Sequence, residues 1–198
     1  VRRFYYKLQV VANKKGCRLM DVLRYTKTMF FNDVFPTPLG WFAVLLSEDG
    51  LRRTSLQPSR ELAIQGIGAE FEDSSQSNLK LMNTTREVMD AYFTGTGFGL
   101  DRLRLDLKGM TTFTQECLMV CRSIPVGETR SYLWIAKELG RSTAARAVGA
   151  VMARNRLPVV IPCHRVIANS GRLHGYSGGL NLKLDLLTLE RVYNLSAT

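Results

Sequence analysis

The chain has 198 residues, of which 45% are hydrophobic and 22% are charged, and its formal net charge is +10. This length allows one large or two small domains with buried cores, and the composition excludes a chain that is disordered throughout. No apolar stretch approaches the roughly 20 residues that cross a bilayer, and the N-terminus lacks the apolar run of a secretory signal. We therefore expect a soluble intracellular protein with no membrane partner, nuclear in a eukaryote and cytoplasmic otherwise.

The positive charge is concentrated in the C-terminal half. Residues 1–100 carry 13 basic and 10 acidic side chains, whereas residues 101–198 carry 14 basic and 7 acidic ones. No acidic residue lies between Glu138 and Asp185, but the interval holds seven basic residues: Arg141, Arg146, Arg154, Arg156, Arg165, Arg172 and Lys183. This distribution favours a polyanionic partner, of which nucleic acid is the most common. A basic surface with no specific partner is the alternative.

The first half of the chain predicts a β-hairpin. A turn at residues 37–40 precedes the apolar run 41–46, and a second turn at 48–50 leads into 51–56, where apolar and polar side chains alternate weakly. Short apolar runs joined by glycine-containing turns are typical of antiparallel strands.

A helix and a linker follow the hairpin. Residues 77–94 carry apolar side chains at nearly helical spacing, which predicts a helix that ends before Gly95. Three glycines between residues 95 and 99 mark the candidate linker. We therefore expect two domains, at residues 1–95 and 108–198.

The second half predicts three helices, each of which follows serine or threonine residues that can cap it. They cover residues 113–122, residues 132–139 with Gly140 after them, and a stretch that ends near residue 154. The capping candidates are Thr111 and Thr112, then Ser131, then Ser142 or Thr143.

The last two of these helices, joined around Gly140, predict a helix-turn-helix, a motif that places its second helix in a nucleic-acid groove. That second helix carries mostly small residues and one long side chain, Arg146, so its backbone can lie close to a nucleic acid. A helix packed inside a core needs small residues equally, so the pattern alone leaves both interpretations open.

The four cysteines are Cys17, Cys117, Cys121 and Cys163. Because the chain shows neither a secretory signal nor a C-x2-C pair, we expect reduced thiols rather than disulfides or a structural zinc site. Cys117 and Cys121 lie one helical turn apart, which is typical of a pair that faces a core.

Cys163 is the candidate nucleophile. It follows an apolar segment and Pro162, and it precedes His164 and Arg165. Basic neighbours and an imidazole lower the pKa of a thiol and make its thiolate available for attack. Neighbouring side chains of an extended segment point in opposite directions, so His164 needs a turn or a bridging water to serve Cys163. A buried and inert cysteine is the alternative.

The chemistry-bearing segments resemble the O6-alkylguanine-DNA alkyltransferase family. The likeness rests on Ile-Pro-Cys-His-Arg-Val at 161–166, Arg-Ala-Val-Gly at 146–149 and Gly-Tyr-Ser-Gly-Gly-Leu at 175–180. It extends through 124–132 and ends near Glu190. The resemblance implies a DNA-repair protein that binds the minor groove of double-stranded DNA, flips O6-methylguanine out of the duplex and transfers its methyl group irreversibly to Cys163.

The same resemblance implies roles for individual residues. Cys163 is the acceptor, His164 acts as its base through a water, and Glu190 orients the histidine. Asn155 ties the recognition helix to the active-site segment, and Tyr132 helps to rotate the phosphate and protonates or hydrogen-bonds the guanine ring. The implied DNA contacts are Arg146, which fills the gap left by the flipped nucleotide, Tyr132, Ala145, Thr114, Leu133, Arg141 and Asn169. The implied base pocket consists of Val166, Tyr176, Ser177 and Gly178.

The implied fold is two-domain α/β, of the α+β kind, with an N-terminal antiparallel sheet and helices and a C-terminal winged helix-turn-helix-like domain. No cofactor is expected. No N-terminal zinc site is expected either, because only Cys17 and no histidine stand in that part of the chain. We expect the free protein to be monomeric.

Two other functional classes explain part of the pattern. A helix-turn-helix binder without enzymatic activity accounts for the basic face, but it has no need of Cys163, His164 and Glu190. A thiol hydrolase uses the same cysteine and histidine and turns over repeatedly. An alkyltransferase accepts one group per molecule, so stoichiometry separates these classes.

Overall fold

The computed structural model of the protein describes residues 6–8, 25–27, 29–71, 79–97, 99–173 and 175–196. Within these residues the strands are β1 (Tyr6–Leu8), β2 (Tyr25–Lys27), β3 (Phe30–Thr37), β4 (Gly40–Ser47), β5 (Gly50–Gln57), β6 (Arg130–Ser131) and β7 (Val166–Ile167). The α-helices are α1 (Arg60–Ile67), α2 (Leu79–Thr94), α3 (Thr112–Arg122), α4 (Tyr132–Glu138), α5 (Ala145–Ala153) and α6 (Gly179–Ser196). The expectations about Cys17 and the N-terminus lie outside the described residues.

Strands β3, β4 and β5 form an antiparallel sheet with β4 in the centre. The pairing of β4 with β5, which begins with Trp41 opposite Gln57, confirms the predicted hairpin. A Cβ on Gly50 would lie 2.4 Å from the Arg104 carbonyl oxygen, and the φ of Gly50 is 146°, so the tight turn requires glycine. Strand β3 is missing from the sequence prediction. It contains Pro36, and a proline argues against a strand unless the strand lies at the edge of its sheet, as β3 does.

The central strand β4 is buried on both faces. Alternate residues enter the main core, whereas Ala43 and Leu45 pack against Ala63 and Ile67 of α1. This two-sided burial explains why residues 41–46 are apolar without alternation. Helix α1 is absent from the sequence prediction because it has eight residues and buries only two of them.

The predicted helices of both halves are present. Helix α2 covers the described part of the predicted stretch 77–94. The Thr111 side chain accepts the Thr114 N–H at the start of α3, and the Ser131 side chain accepts the Trp134 N–H at the start of α4, so both predicted caps are confirmed. No described helix is both long and apolar enough to cross a membrane.

The predicted cap of α5 by Ser142 or Thr143 is wrong. The residue before α5 is Ala144, which makes no side-chain capping bond. Its N–H donates to the Arg141 carbonyl oxygen at 2.8 Å, and its own carbonyl accepts the Val148 N–H at 2.9 Å. A hydrogen-bonded turn therefore runs directly into the helix, and both hydroxyl residues lie before the capping position.

The C-terminal half contains the expected helix-turn-helix, formed by α4 and α5. Gly140, with φ of 66°, follows α4, and its N–H donates to the Lys137 carbonyl oxygen at 2.8 Å. Left-handed glycine after the last helical residue is a common way to end a helix. Val148 and Met152 form the buried side of α5 and lie in the main core. Cys117 and Cys121 of α3 lie in the same core, as predicted.

Arg122 of α3 holds the segment that connects the two halves. Its guanidinium donates hydrogen bonds to the carbonyl oxygens of Leu100 and Leu103 at 2.7 Å and of Asp101 at 3.1 Å. Bonds from a charged donor are stronger than bonds between neutral groups. This single side chain therefore fixes the connecting segment against a helix of the C-terminal half.

We expect Arg122→Ala to lower the free energy of unfolding by about 1.5–3 kcal/mol, because three carbonyl oxygens lose their charged donor. Urea denaturation followed by tryptophan fluorescence measures this change. Arg60→Ala is the control, because Arg60 is exposed at the start of α1. Equal stability of the two variants would contradict the role given to Arg122.

Candidate active site

Cys163 lies in a 3₁₀ turn, Cys163–Arg165, that directly follows Pro162. The Arg165 N–H donates to the Pro162 carbonyl oxygen at 2.9 Å, which closes the turn. Cys163 is 5% exposed, and His164 and Arg165 are also buried. The sequence analysis requires a turn or a bridging water if His164 is to act as a base for Cys163, and the structure has a turn at this position.

Asn155 holds both the thiol and the loop in front of it. Its side-chain amide donates to Cys163 Sγ at 3.1 Å and to the Ile161 carbonyl oxygen at 2.9 Å, and its amide oxygen accepts the Leu157 N–H at 2.9 Å. In the same loop Val159 has φ of 73°, a left-handed conformation that is strained for a β-branched residue. The hydrogen bonds of Asn155 hold the loop near the nucleophile in this conformation, whose strain is on the order of 1–3 kcal/mol.

Glu190 of α6 is fully buried and accepts hydrogen bonds from several side chains. Its Oε1 accepts the Tyr92 hydroxyl at 2.7 Å and lies 2.8 Å from His164 Nε2. Arg165 donates to both carboxylate oxygens, at 2.8 and 2.9 Å. The Gly127 N–H also lies 3.4 Å from Oε2. A buried carboxylate is tolerated only with such a set of donors.

Glu190 decides which nitrogen of His164 carries the proton. A carboxylate only accepts hydrogen bonds, so Nε2 is the protonated nitrogen of the neutral ring. The other nitrogen, Nδ1, is buried and has no hydrogen-bond partner among the described residues. The ring is thus oriented to accept a proton at Nδ1.

Burial and charge set the protonation states of the site. Burial raises the pKa of the Cys163 thiol, although the hydrogen bond from Asn155 and the charge of Lys183 oppose this shift. Burial lowers the pKa of His164 despite the opposing effect of Glu190, so the ring is neutral at pH 7. Burial alone would raise the pKa of Glu190, but hydrogen bonds from His164 and Arg165, together with the charge of Arg165, hold it well below its usual range.

The thiol pKa therefore differs from the sequence expectation, in which basic neighbours lower it. Desolvation outweighs the nearby charges, because Cys163 is almost completely enclosed. The resting thiol is protonated, and a base must remove its proton before the sulfur can act as a nucleophile.

Lys183 of α6 is buried beneath the same turn. It is 1% exposed, and its Nζ donates to the Val166 carbonyl oxygen at 2.7 Å. Burial lowers its pKa. The bond ties α6 to the strand that follows the cysteine turn.

The residues predicted to contact DNA lie mainly on the helix-turn-helix. Arg146 is exposed on α5, directly after the half-buried Ala145. Tyr132 begins α4 and packs beside Gly149 of α5, where a Cβ would lie 3.9 Å from the tyrosine ring. Leu133, the next residue of α4, is half-buried.

Three further predicted contacts lie around this motif. Arg141 is exposed, pairs with Glu116 at 3.4 Å and lies over the Phe113 ring. Thr114 shares a hydroxyl hydrogen bond of 2.9 Å with the capping Thr111. Asn169 is exposed after β7. In the described part of the chain, none of these three predicted contacts belongs to the hydrogen-bonded cluster around Glu190.

Two of the predicted base-pocket residues, Val166 and Tyr176, lie next to the cysteine turn. The Tyr176 ring lies edge-on to His164, with 6.5 Å between the ring centres. Val166 is buried directly after the turn, and Ser177 is exposed. A Cβ on Gly178 would lie 2.4 Å from the Leu182 side chain, so this position is tightly enclosed.

Sequence reasoning missed Tyr92, Arg165 and Lys183 as parts of the site. Tyr92 is the one among them that comes from the N-terminal half, on α2. The available signal is a tyrosine at a core position of a predicted helix, because a buried hydroxyl needs a polar partner. Nothing in the local sequence identifies Glu190, 98 residues away, as that partner.

Comparison with known proteins shows the family to which the chain belongs. The model for "6-O-methylguanine DNA methyltransferase, DNA binding domain" matches residues 112–192. The methylated-DNA–protein-cysteine methyltransferase of Methanosarcina acetivorans is 34% identical over 157 residues, which cover 79% of this chain and 96% of that relative. The chain belongs to this methyltransferase family.

A methyltransferase of the same name from Mycobacterium leprae is 51% identical over 105 residues. The match covers 52% of this chain and 61% of the Mycobacterium leprae protein, so it spans about six tenths of that relative.

Solved structures of this methyltransferase family have the same fold. That of Mycobacterium tuberculosis O6-methylguanine methyltransferase gives a TM-score of 0.68 at 30% identity and covers 83% of this chain and 94% of that one. A Mycobacterium tuberculosis relative solved in complex with DNA gives a TM-score of 0.67 at 32% identity, covering 82% and 94%. These neighbours confirm the predicted two-domain α/β fold class.

We expect Glu190→Gln to lower the free energy of unfolding of this protein by about 3–5 kcal/mol, because it leaves the buried Arg165 charge unpaired. Glu128→Gln is the matched control, because the Glu128 pair with Arg130 is partly exposed and should cost less than about 1 kcal/mol. Chemical denaturation at pH 7 measures both changes. A similar small loss in the two variants would contradict the role of Glu190.

Proposed function

We propose that this methyltransferase repairs double-stranded DNA by moving the methyl group of O6-methylguanine to Cys163, once per protein molecule. The observation that carries the proposal is the arrangement of Cys163, held by Asn155, beside a histidine whose Nε2 faces Glu190 and whose Nδ1 is free to accept a proton. A nucleophile, a base and a group that orients the base are the parts that thiol alkylation requires.

In the proposed reaction, His164 Nδ1 accepts the Cys163 proton through a bridging water. The thiolate attacks the methyl carbon, and the carbon–sulfur bond forms as the bond between that carbon and O6 breaks. The leaving guanine carries the electron pair of that bond and takes up the proton released from the thiol, while Tyr132 hydrogen-bonds its ring. Glu190 stabilises the transient imidazolium, because its negative charge is already in place.

The product explains the single turnover. The sulfur ends as a thioether, and no second group in the proposed scheme attacks the transferred methyl carbon. A thiol hydrolase, by contrast, restores its cysteine in a second step. Each molecule of this protein should therefore act once.

The helix-turn-helix supplies the DNA-binding surface of the proposal. Helix α5 enters the minor groove, and Arg146 fills the space left when the damaged nucleotide is flipped out. The other proposed DNA contacts are Tyr132, Ala145, Thr114, Leu133, Arg141 and Asn169. The interval between Glu138 and Asp185, which is basic and has no acidic residue, supports this surface, because cationic side chains bind the phosphates of DNA.

The flipped guanine is proposed to lie among Val166, Tyr176, Ser177 and Gly178. The assignment is supported by Val166, which directly follows the cysteine turn, and by Tyr176, whose ring lies edge-on to His164; Ser177 and Gly178 follow Tyr176 in the loop before α6. The free protein is proposed to be a monomer that acts where the cell keeps its DNA, and the reaction needs no cofactor because the thiol is consumed.

Peptide mass spectrometry tests this function. We expect the peptide that contains Cys163 to gain one methyl group after incubation with a duplex containing O6-methylguanine, with one guanine restored per protein. Cys163→Ser should abolish the transfer, whereas Cys121→Ala, a change at a buried thiol of α3, should retain it. Repeated turnover would favour a hydrolase, and an unmodified Cys163 on bound lesion DNA would indicate a sensor.

A second test addresses base flipping. We expect Arg146→Ala to slow methyl transfer from duplex DNA by about 10- to 100-fold, because unstacking a base costs a few kcal/mol. Transfer from a single-stranded oligonucleotide should change much less, since its base is already accessible. Lys137→Ala, which removes an exposed cation on α4, is the control. Equal slowing on both substrates would contradict the role of Arg146.

A further inference from the structure

Tyr92 lies on α2, in the N-terminal half, and its hydroxyl enters the active-site cluster. The side chain is fully buried, and its ring packs edge-on against Phe93 with 5.2 Å between the ring centres. The hydroxyl donates to Glu190 Oε1 at 2.7 Å. Because a closely packed ring has little freedom to turn, this donor stays directed at the carboxylate.

The oxygen that Tyr92 contacts is the more crowded of the two carboxylate oxygens. Oε1 also accepts a hydrogen bond from Arg165 at 2.8 Å and lies 2.8 Å from His164 Nε2. Oε2 accepts the Arg165 Nε–H at 2.9 Å and lies 3.4 Å from the Gly127 nitrogen. A carboxylate oxygen offers about two lone pairs, so the donors at Oε1 compete for it. Tyr92 and His164 therefore share one acceptor.

The Tyr92 phenol keeps its proton and therefore remains a donor. Burial, followed by the charge of Glu190, raises the pKa of Tyr92 well above its ordinary value. A donor that stays bonded to Oε1 withdraws negative charge from that oxygen. An imidazolium at His164 is then stabilised less by the carboxylate, so the ring is a weaker base than it would be without Tyr92.

Groups from several other elements face the pair of His164 and Glu190. The cations Arg165, in the cysteine turn, and Lys183, on α6, both oppose a positive charge on the imidazole. The remaining neighbours are neutral at rest because burial raises their pKa values: Cys163 in the turn, Cys121 on α3 and Tyr176 before α6. In the described part of the chain, Tyr92 is the member of this set that the N-terminal half contributes.

We infer that Tyr92 is a positioning residue that limits the basicity of His164, because it shares Glu190 Oε1 with the histidine and so weakens the bond from Nε2 to the carboxylate. The ring then stays neutral at rest, with Nδ1 open for the thiol proton. The inference rests on the proposed alkyl transfer, since it concerns the base of that reaction. It gives the N-terminal half a part in the chemistry, which Tyr92 exerts through Glu190.

Proton NMR of the unreacted protein tests the shared acceptor. Tyr92→Phe removes only the hydroxyl, so the bond from His164 Nε2 to Oε1 should strengthen, and the Nε2 proton signal at pH 7 should move downfield. The midpoint of the His164 titration should rise by about 0.5–1 pH unit, which is part of what a hydrogen bond to a charged group contributes.

Thr85→Val is the matched control for the loss of a hydroxyl. Thr85 is also buried on α2, and its hydroxyl donates to the Leu81 carbonyl oxygen at 2.8 Å. This variant should keep the Nε2 proton signal and the titration midpoint of the natural protein. Equal changes in Tyr92→Phe and Thr85→Val overturn the inference, because a general disturbance of α2 would then be the cause.

A second substitution acts in the opposite direction. A fluorotyrosine in place of Tyr92, with the fluorine beside the hydroxyl, has a more acidic phenol and is a stronger donor to Oε1. The Nε2 proton signal should therefore move upfield, and the His164 midpoint should fall. This change keeps both the ring and the hydroxyl, so it gives a result even if Tyr92→Phe does not fold. An Nε2 proton signal that stays at its natural position in either folded variant overturns the inference.

The pH dependence of methyl transfer connects this basicity to function. Single-turnover rates are measured on a duplex that contains O6-methylguanine. A protonated His164 cannot accept the thiol proton, so the rate falls as the pH drops through the pKa of His164. In Tyr92→Phe this fall should lie at higher pH by the same about 0.5–1 unit as the titration midpoint. The affinity for the duplex should stay that of the natural protein.

The two measurements separate failure of the inference from failure of the proposed function. A midpoint that moves while the rate profile stays in place overturns the inference, because Tyr92 then has no effect on the reacting base. If the natural protein transfers no methyl group, the proposed function fails. The NMR signals need no substrate, so they still decide whether Tyr92 limits the basicity of His164.

Discussion

The buried carboxylate of Glu190 is the interaction on which the rest of the site depends. It neutralises Arg165, which is itself buried, and it fixes the hydrogen-bonding state of His164. Each of these groups would be costly to bury alone, because an unpaired charge in the interior loses its hydration. The chemistry of the site, a neutral imidazole with its basic nitrogen turned away from Glu190, follows from this one arrangement.

Tyr92 makes the N-terminal half part of the same cluster. Its hydroxyl reaches Glu190 from α2, and the adjacent Phe93 packs edge-on against Phe42 of the central strand, with 5.7 Å between the ring centres. The core beneath the sheet and the carboxylate of α6 are thus in direct contact. A second link, from the Thr54 hydroxyl to the Pro158 carbonyl oxygen, holds the loop before the cysteine. The N-terminal half therefore supports the site through specific hydrogen bonds as well as through the packing of its core.

The sequence predicts those features that local patterns determine. Ser131 and Thr111 cap helices because a cap needs only the next three residues, and the hairpin follows from its turn. The motif around Cys163 indicates the nucleophile, and the family resemblance leads to His164, Asn155 and Glu190. Local patterns do not report the bond between Tyr92 and Glu190 or the burial of Lys183, because distant segments create both. They also indicate the wrong direction for the thiol pKa, since the charges are visible in the sequence and the burial is not.

Nitrogen-15 NMR of the histidine side chains tests the central claim most directly, because the chain has only two histidines and His174→Gln assigns the signals. In the unreacted protein at pH 7, His164 should give the shifts of a neutral ring with a proton on Nε2 and none on Nδ1. An imidazolium signal, or a proton on Nδ1, would contradict the account, because the nitrogen assigned as the base would then already be protonated.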